Sequence, residues 1–169
     1  VLLHGDLSLR EIIGYRAKSN ATEVIDLSKK DAYDPAEFFE PILRPKNGEL
    51  VLEPKSFYLL ATKERVAFPP DYAGEIDAYD PSSGGMRSHY AGFFDPGFGW
   101  GEDGSLHGTT AVLEVRAHDV PFRLTDGQII CTMKYEEMAA APKSLYGGTM
   151  GSTYIGQGPK LAKFFKNTW

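Results

Sequence analysis

Apolar residues along this chain fall in short runs punctuated by Gly, Pro, Asn and Asp, a texture that suits strands and turns better than a helical bundle. From Glu49 onward successive strands are predicted at 50–52, 57–62, 66–68, 74–78, 109–116, 122–124 and 128–133. Asp126-Gly127 makes the turn before the last of them. Two short helices are predicted near the ends. Ser8 and Glu11 form a capping-box pattern, with Leu9, Ile12 and Ile13 as an apolar stripe ending near Gly14. Pro159 opens the second helix, with Leu161, Phe164 and Phe165 on one side and Lys160, Lys163 and Lys166 elsewhere. Residues 19–48 are broken by Asp34-Pro35, Glu40-Pro41, Arg44-Pro45 and Asn47-Gly48, and only 36–39 read as a helical turn. Such a stretch either wraps the body or contacts another chain. Residues 146–152 are too glycine-rich for a packed strand and are expected to move until something orders them.

With 169 residues, 42% of them hydrophobic, the chain can bury one good core, so a single domain over 1–169 is expected. Within it, about 1–48 is irregular and about 144–169 is a tail. The 18 Gly and 11 Pro support a mainly β class. A net charge of −5, with basic residues scattered, argues against nucleic acid as a partner. No apolar run approaches membrane-spanning length and no leader pattern opens the chain, so no membrane partner is expected. The single cysteine, Cys131, sits in an apolar strand and reads as a buried structural thiol, in keeping with a cytoplasmic location. The chain opens on Val1 without an initiator Met, which suits a processed chain or a piece of something longer.

Candidate chemistry centres on one acid. Glu114 interrupts the apolar ladder 112–116 and shares a strand face with Val112, so it faces either solvent or a pocket. Upstream, Ala91-Gly92-Phe93-Phe94-Asp95-Pro96-Gly97-Phe98 forms a tight turn in which Gly92 allows close backbone approach. A zinc-dependent deaminase pattern is absent, since there is no Pro-Cys-x-x-Cys and no His-x-Glu. His4, His89, His107 and His118 show no ligand spacing, so no catalytic metal site is expected.

Read in order, Pro81-Ser82-Ser83, the 91–98 turn, Leu113-Glu114 and Tyr146…Tyr154-Ile155-Gly156-Gln157 resemble the motifs of the dCTP deaminase branch of the trimeric dUTPase-like superfamily, over roughly residues 50–160. The resemblance implies a distorted β-barrel or jelly-roll-like body. It implies hydrolytic deamination of dCTP to dUTP and ammonia, with Glu114 as proton shuttle inside an apolar surround drawn from Leu113, Val115, Phe93 and Phe94. By the same analogy Ser82, Ser83 and Arg87 hold phosphates, Ala91, Phe93 and Asp95 meet the nucleoside, and Tyr146, Tyr154, Gln157 and Lys160 close over it. No protein-bound catalytic metal is implied; Mg2+ accompanies the triphosphate. Family members are trimers with shared sites, so a homotrimer or pseudo-trimer is expected, with Phe164, Phe165 and Trp169 packing on a neighbour. The resemblance includes chains carrying two such domains.

The sequence departs from the pattern at Pro81, where the family carries Arg, at Thr153, often Lys, and in a shorter stretch between the serines and Asp95. Each change removes or moves a cation that would meet the triphosphate. Two alternatives therefore stand beside deamination. One is dUTP pyrophosphate hydrolysis with Asp95 positioning water, alone or together with deamination; the other is a degenerate, non-catalytic domain that serves assembly.

Overall fold

A computed structural model describes residues 1–77, the backbone of 86–88, residues 92–101 and 108–147, Tyr154, Gly156 and residues 158–167. Among these, the longest strands, β5 (Phe57–Val66), β9 (Thr109–Ala117) and β11 (Ile129–Glu137), sit at the interiors of two antiparallel sheets. The five-stranded sheet runs β3 (Phe39–Leu43), β2 (Ile12–Ala17), β5, β9, β7 (Met86–Ser88). The four-stranded sheet runs β1 (Leu2–His4), β11, β6 (Tyr72–Asp77), β8 (Phe93–Phe94). A ribbon of β4 (Glu49–Leu52) and β10 (Phe122–Thr125) completes the body. This mainly β architecture is the expected class.

The core forms where inward residues of both sheets interdigitate. Ile13, Tyr58, Leu60, Leu113 and Val115 from one sheet meet Leu3, Ile130 and Met133 from the other, with Phe68, Leu52 and Leu124 closing the ends. Strand β9 shows how the pattern works: Ala111, Leu113, Val115 and Ala117 are buried, whereas Val112 is half-buried and Glu114 and Arg116 are exposed. Period-2 alternation thus aims Glu114 away from the core. Leu113 and Val115 point into the core and do not surround it.

Neither predicted terminal helix forms. Residues 6–10 are a loop because the Asp6 carboxylate accepts the Ser8 and Leu9 amides at 3.1 and 2.8 Å, and Asp126 accepts the Leu7 amide at 2.9 Å. Ile12 and Ile13 then enter β2, which pairs with both β3 and β5. Gly14 fits there because a Cβ would lie 2.2 Å from the Leu59 carbonyl oxygen. The helical turn does appear, as α1 (Pro35–Phe38), capped by the Asp34 side chain on the Ala36 amide. The strand predicted at 57–62 runs on to Val66 as β5, with a register shift between Ala61 and Arg65, whereas Ala67 and Phe68 of the strand predicted at 66–68 lie beyond it.

After Pro159 the chain stays extended with one turn, because residues 31–33 take the backbone groups a helix would pair internally. Asp31, Ala32 and Tyr33 donate amides to the Lys163 and Phe164 carbonyls, and Lys166 donates to Tyr33. Phe165, only 7% exposed, packs edge-on against Phe38 and Phe39 beside Tyr33 and Leu161. The tail's Phe165 therefore packs on its own body and not on a neighbour, and Phe164 joins the same cluster; Trp169 lies outside the described residues. No helix among the described residues is long and apolar enough to cross a membrane.

Phe165→Ala should cost about 3 kcal/mol in denaturant unfolding, as for other large-to-small aromatic truncations; a loss within experimental error would mean the tail is not anchored as described. Burial pushes the Cys131 thiol up to about 12. A raised thiol stays protonated at pH 8, so iodoacetamide should label native protein no faster than the protein unfolds; rapid native labelling would contradict this burial.

Candidate functional site

The outward face of β9 borders an open cavity. Together with Phe57 and Leu59 of β5, Thr110, Val112 and Glu114 form one side of a cavity of about 500 Å³. The cross-strand register places Leu59 opposite Glu114 and Phe57 opposite Arg116, whose guanidinium lies 5.1 Å from the Phe57 ring centroid. A second side is the 92–98 turn, supplying Gly92, Phe93, Phe94, Asp95 and Phe98. The third is the tail, through Tyr154, Gly158, Lys160 and Leu161, with Tyr146 and Phe39 at the margins. Phe93 is 65% exposed and Tyr154 40% exposed, so the cavity is open at the rim.

The turn owes its shape to backbone pairing and aromatic packing. Ile76 donates its amide to Gly92 at 2.8 Å, and Gly97 and Phe68 exchange amides with the Phe68 and Phe98 carbonyls at 2.8 and 2.9 Å. Phe94 stacks on Phe68 at 5.5 Å and meets Phe98 edge-on at 4.9 Å, and Phe98 abuts Tyr146 at 5.5 Å. The Tyr146 amide donates to the Pro96 carbonyl at 2.8 Å, so Asp95 and Tyr146 are fixed relative to one another. Gly97 adopts φ +98° with no room for a Cβ beside the Tyr146 backbone. Burial, and then the neighbouring Tyr146, push the Tyr154 hydroxyl above the ordinary tyrosine range, keeping it a hydrogen-bond donor at neutral pH.

Six of the residues singled out from sequence therefore line one cavity: Glu114, Phe93, Asp95, Tyr146, Tyr154 and Lys160. Ser82, Ser83, Ala91 and Gln157 lie outside the described residues, as do Pro81 and Thr153. Arg87 is placed by its backbone on β7, directly opposite Arg116. The sequence reading missed Phe39, Phe57, Leu59 and Thr110. The alternation of β5 beside β9 carries a signal for Phe57 and Leu59; Phe39, in a stretch that reads as irregular, carries none. Among the described residues no group of three or more His, Cys, Asp or Glu is placed to hold a metal ion.

A family model described as "2'-deoxycytidine 5'-triphosphate deaminase (DCD), C-terminal domain" matches residues 1–165. The chain belongs to this deaminase family. A Mycolicibacterium gilvum protein named "dCTP deaminase, dUMP-forming" is 32% identical over 156 residues, covering 88% of this chain and 78% of the relative. A Haloarcula marismortui protein named "dCTP deaminase" is 31% identical over 134 residues, covering 76% of this chain and 63% of that one. The crystal structure of 2'-deoxycytidine 5'-triphosphate deaminase from Agrobacterium tumefaciens superposes with a TM-score of 0.75 at 44% identity, over 85% of this chain. This chain spans 43% of that solved one. The deaminase family's fold is therefore the one described above.

Gly97→Ala should uncouple the Asp95 turn from Tyr146, lowering stability by about 2 kcal/mol through strain at positive φ and backbone overlap. Thermal unfolding checks it. An unchanged melting temperature would show that the turn is not held in this way.

Proposed function

We propose that this chain is a dCTP deaminase domain, hydrolysing dCTP to dUTP and ammonia, with Glu114 as the proton shuttle. The observation that carries the reading is the convergence of Glu114, Asp95, Tyr154 and Lys160 on one cavity sized for a nucleotide, in a chain of the deaminase family. Glu114 stands on a strand whose opposite face is locked in the core, which holds its Cα rigidly and leaves only side-chain rotation to align it.

In the proposed reaction the Glu114 carboxylate takes a proton from water as its oxygen bonds to C4 of cytosine. That proton passes to N3. The remaining hydroxyl proton then goes, through the same carboxylate, to the amino group, the C4–N4 bond breaks, ammonia leaves and C4 becomes a carbonyl. One water is consumed and its two hydrogens end on N3 and on ammonia. Phe93 and Phe94 offer apolar surface to the base, and Asp95 is assigned the deoxyribose. Ser82, Ser83, Ala91, Arg87 and Gln157 keep the substrate roles that the family resemblance implies.

Among the described lining residues, Asp95 and Glu114 bring two carboxylates against one ammonium, Lys160. A triphosphate entering such a surround needs further positive charge, and Mg2+ bound to the phosphates is the proposed neutraliser. The open rim, with Glu114 and Phe93 exposed in the single chain, supports closure of the site by a second copy within a trimer, or by a partner domain in a longer two-domain chain. The dUMP-forming name carried by relatives such as the Mycolicibacterium gilvum protein supports one extension. In it, Asp95, lining the same cavity, also orients water at the α-phosphate.

Mixing the protein with dCTP and Mg2+ should release ammonia, and pyrophosphate release in step would favour the dUMP-forming extension. Glu114→Gln should cut ammonia release by a factor of about 10³ or more while dCTP binding changes only a few-fold. A variant as active as the parent would remove Glu114 from the mechanism. A parent with neither turnover nor nucleotide binding would favour a non-catalytic assembly role.

A further inference from the structure

We propose that Arg10 is a positioning residue, bracing the tail that walls the cavity and so setting where Tyr154 and Lys160 meet the nucleotide. The inference rests on the deaminase reading for its substrate, but not for its geometry.

Asp6 has a side chain with 0% exposure, and a carboxylate so buried must be fully bonded. Two of its bonds come from the Ser8 and Leu9 amides, and the third from the Arg10 guanidinium through Nη1. That pairing holds the guanidinium while its other terminal nitrogen reaches β9. Arg10 Nη2 donates to Thr110 Oγ1 at 2.8 Å, and Thr110 lines the cavity. The tail crosses at the same place. A Cβ added to Gly158, itself a lining residue, would stand 3.2 Å from Arg10 Nε and 3.6 Å from Cδ, so the tail backbone rests against the arginine. The Gly156 amide donates to Thr109 Oγ1 at 3.2 Å.

Consecutive threonines at the start of β9 thus take one bond from the 6–10 loop and one from the tail. On the far side the tail is held by residues 31–33, and at the cavity Arg10 packs beside Gly158. Lys160 lies between these attachments, at Gly156 and at residues 163–166, and Tyr154 stands two residues before the first, so the tail is held at the cavity without waiting for substrate. Binding then need not order this stretch, and the entropy cost of closing over the nucleotide falls.

Thr110→Val is the sharper test because it matches the shape of threonine and leaves the Asp6–Arg10 pair intact. Hydrogen exchange at the Gly156 and Gly158 amides, measured without nucleotide, should accelerate about tenfold, and the KM for dCTP should rise about tenfold with kcat within about twofold. Thr110→Ser, which keeps the acceptor oxygen, should restore both. Arg10→Gln should raise KM in the same direction and add little in the Thr110→Val background, since the two substitutions break one interaction.

Unchanged tail exchange in Thr110→Val would overturn the brace, as would a KM that stays at the parent value while the tail loosens. Loss of melting temperature alone, without a KM change, would reduce Arg10 to a structural role. The exchange measurement needs no turnover, so a parent that releases no ammonia would fail the deaminase reading while the brace was still decided on its own evidence.

Discussion

The alternation of strand β9 is the constraint from which the rest of the structure follows. One face of this strand, Ala111 to Ala117 at every second position, is packed against the opposite sheet and cannot shift register without burying Glu114 and Arg116. The other face is thereby committed outward, and Glu114 is carried on a rigid rail whose neighbours are set by the β5 pairing. A one-residue slip would carry these two charged side chains into the core in place of Leu113 and Val115, an outcome costly enough to exclude. The position of the candidate catalytic acid is in this sense a by-product of core packing.

Around that rail, chain segments distant in sequence are tied to one another by backbone bonds more than by side-chain charge. The 92–98 turn hangs on β6 through Gly92 and Ile76 and on Tyr146 through Pro96. The tail is zipped to residues 31–33 and clipped to Thr109. Exposed ion pairs such as Arg16 with Glu40 and Glu53 contribute little by comparison, since solvent screens them. The Asp6–Arg10 pair belongs to another category, because removing Arg10 would strand the fully buried Asp6 carboxylate without its charged partner.

What was legible in the sequence depended on whether local pattern and tertiary context agreed. Glu114 stood out because β9 alternates cleanly, and the Asp95 turn because Gly and Pro mark it without ambiguity. The loop at 6–10 reads as a helix because Ser8 and Glu11 satisfy the capping rule locally, while Asp6, two residues before Ser8, takes the Ser8 and Leu9 amides into a turn instead. The tail was misread for a related reason: Leu161, Phe164 and Phe165 fit a helical stripe, yet residues 31–33 claim the backbone. Phe39 and Thr110 entered the cavity through long-range pairing, which no window of sequence contains. The serines at 82 and 83 and Gln157 were legible only as motif positions, by resemblance to the deaminase family.

In the proposed reaction cytosine docks with its C4 at Glu114, inside the cavity between β9, the Asp95 turn and the tail. A crystal structure of the Glu114→Gln protein with dCTP and Mg2+ tests it most directly. The pyrimidine ring is expected between the turn and β9, with the residue 114 carboxamide within hydrogen-bond reach, about 3 Å, of N3 or the amino group. A nucleotide bound elsewhere, or seated here with its amino edge turned away from β9, would contradict it.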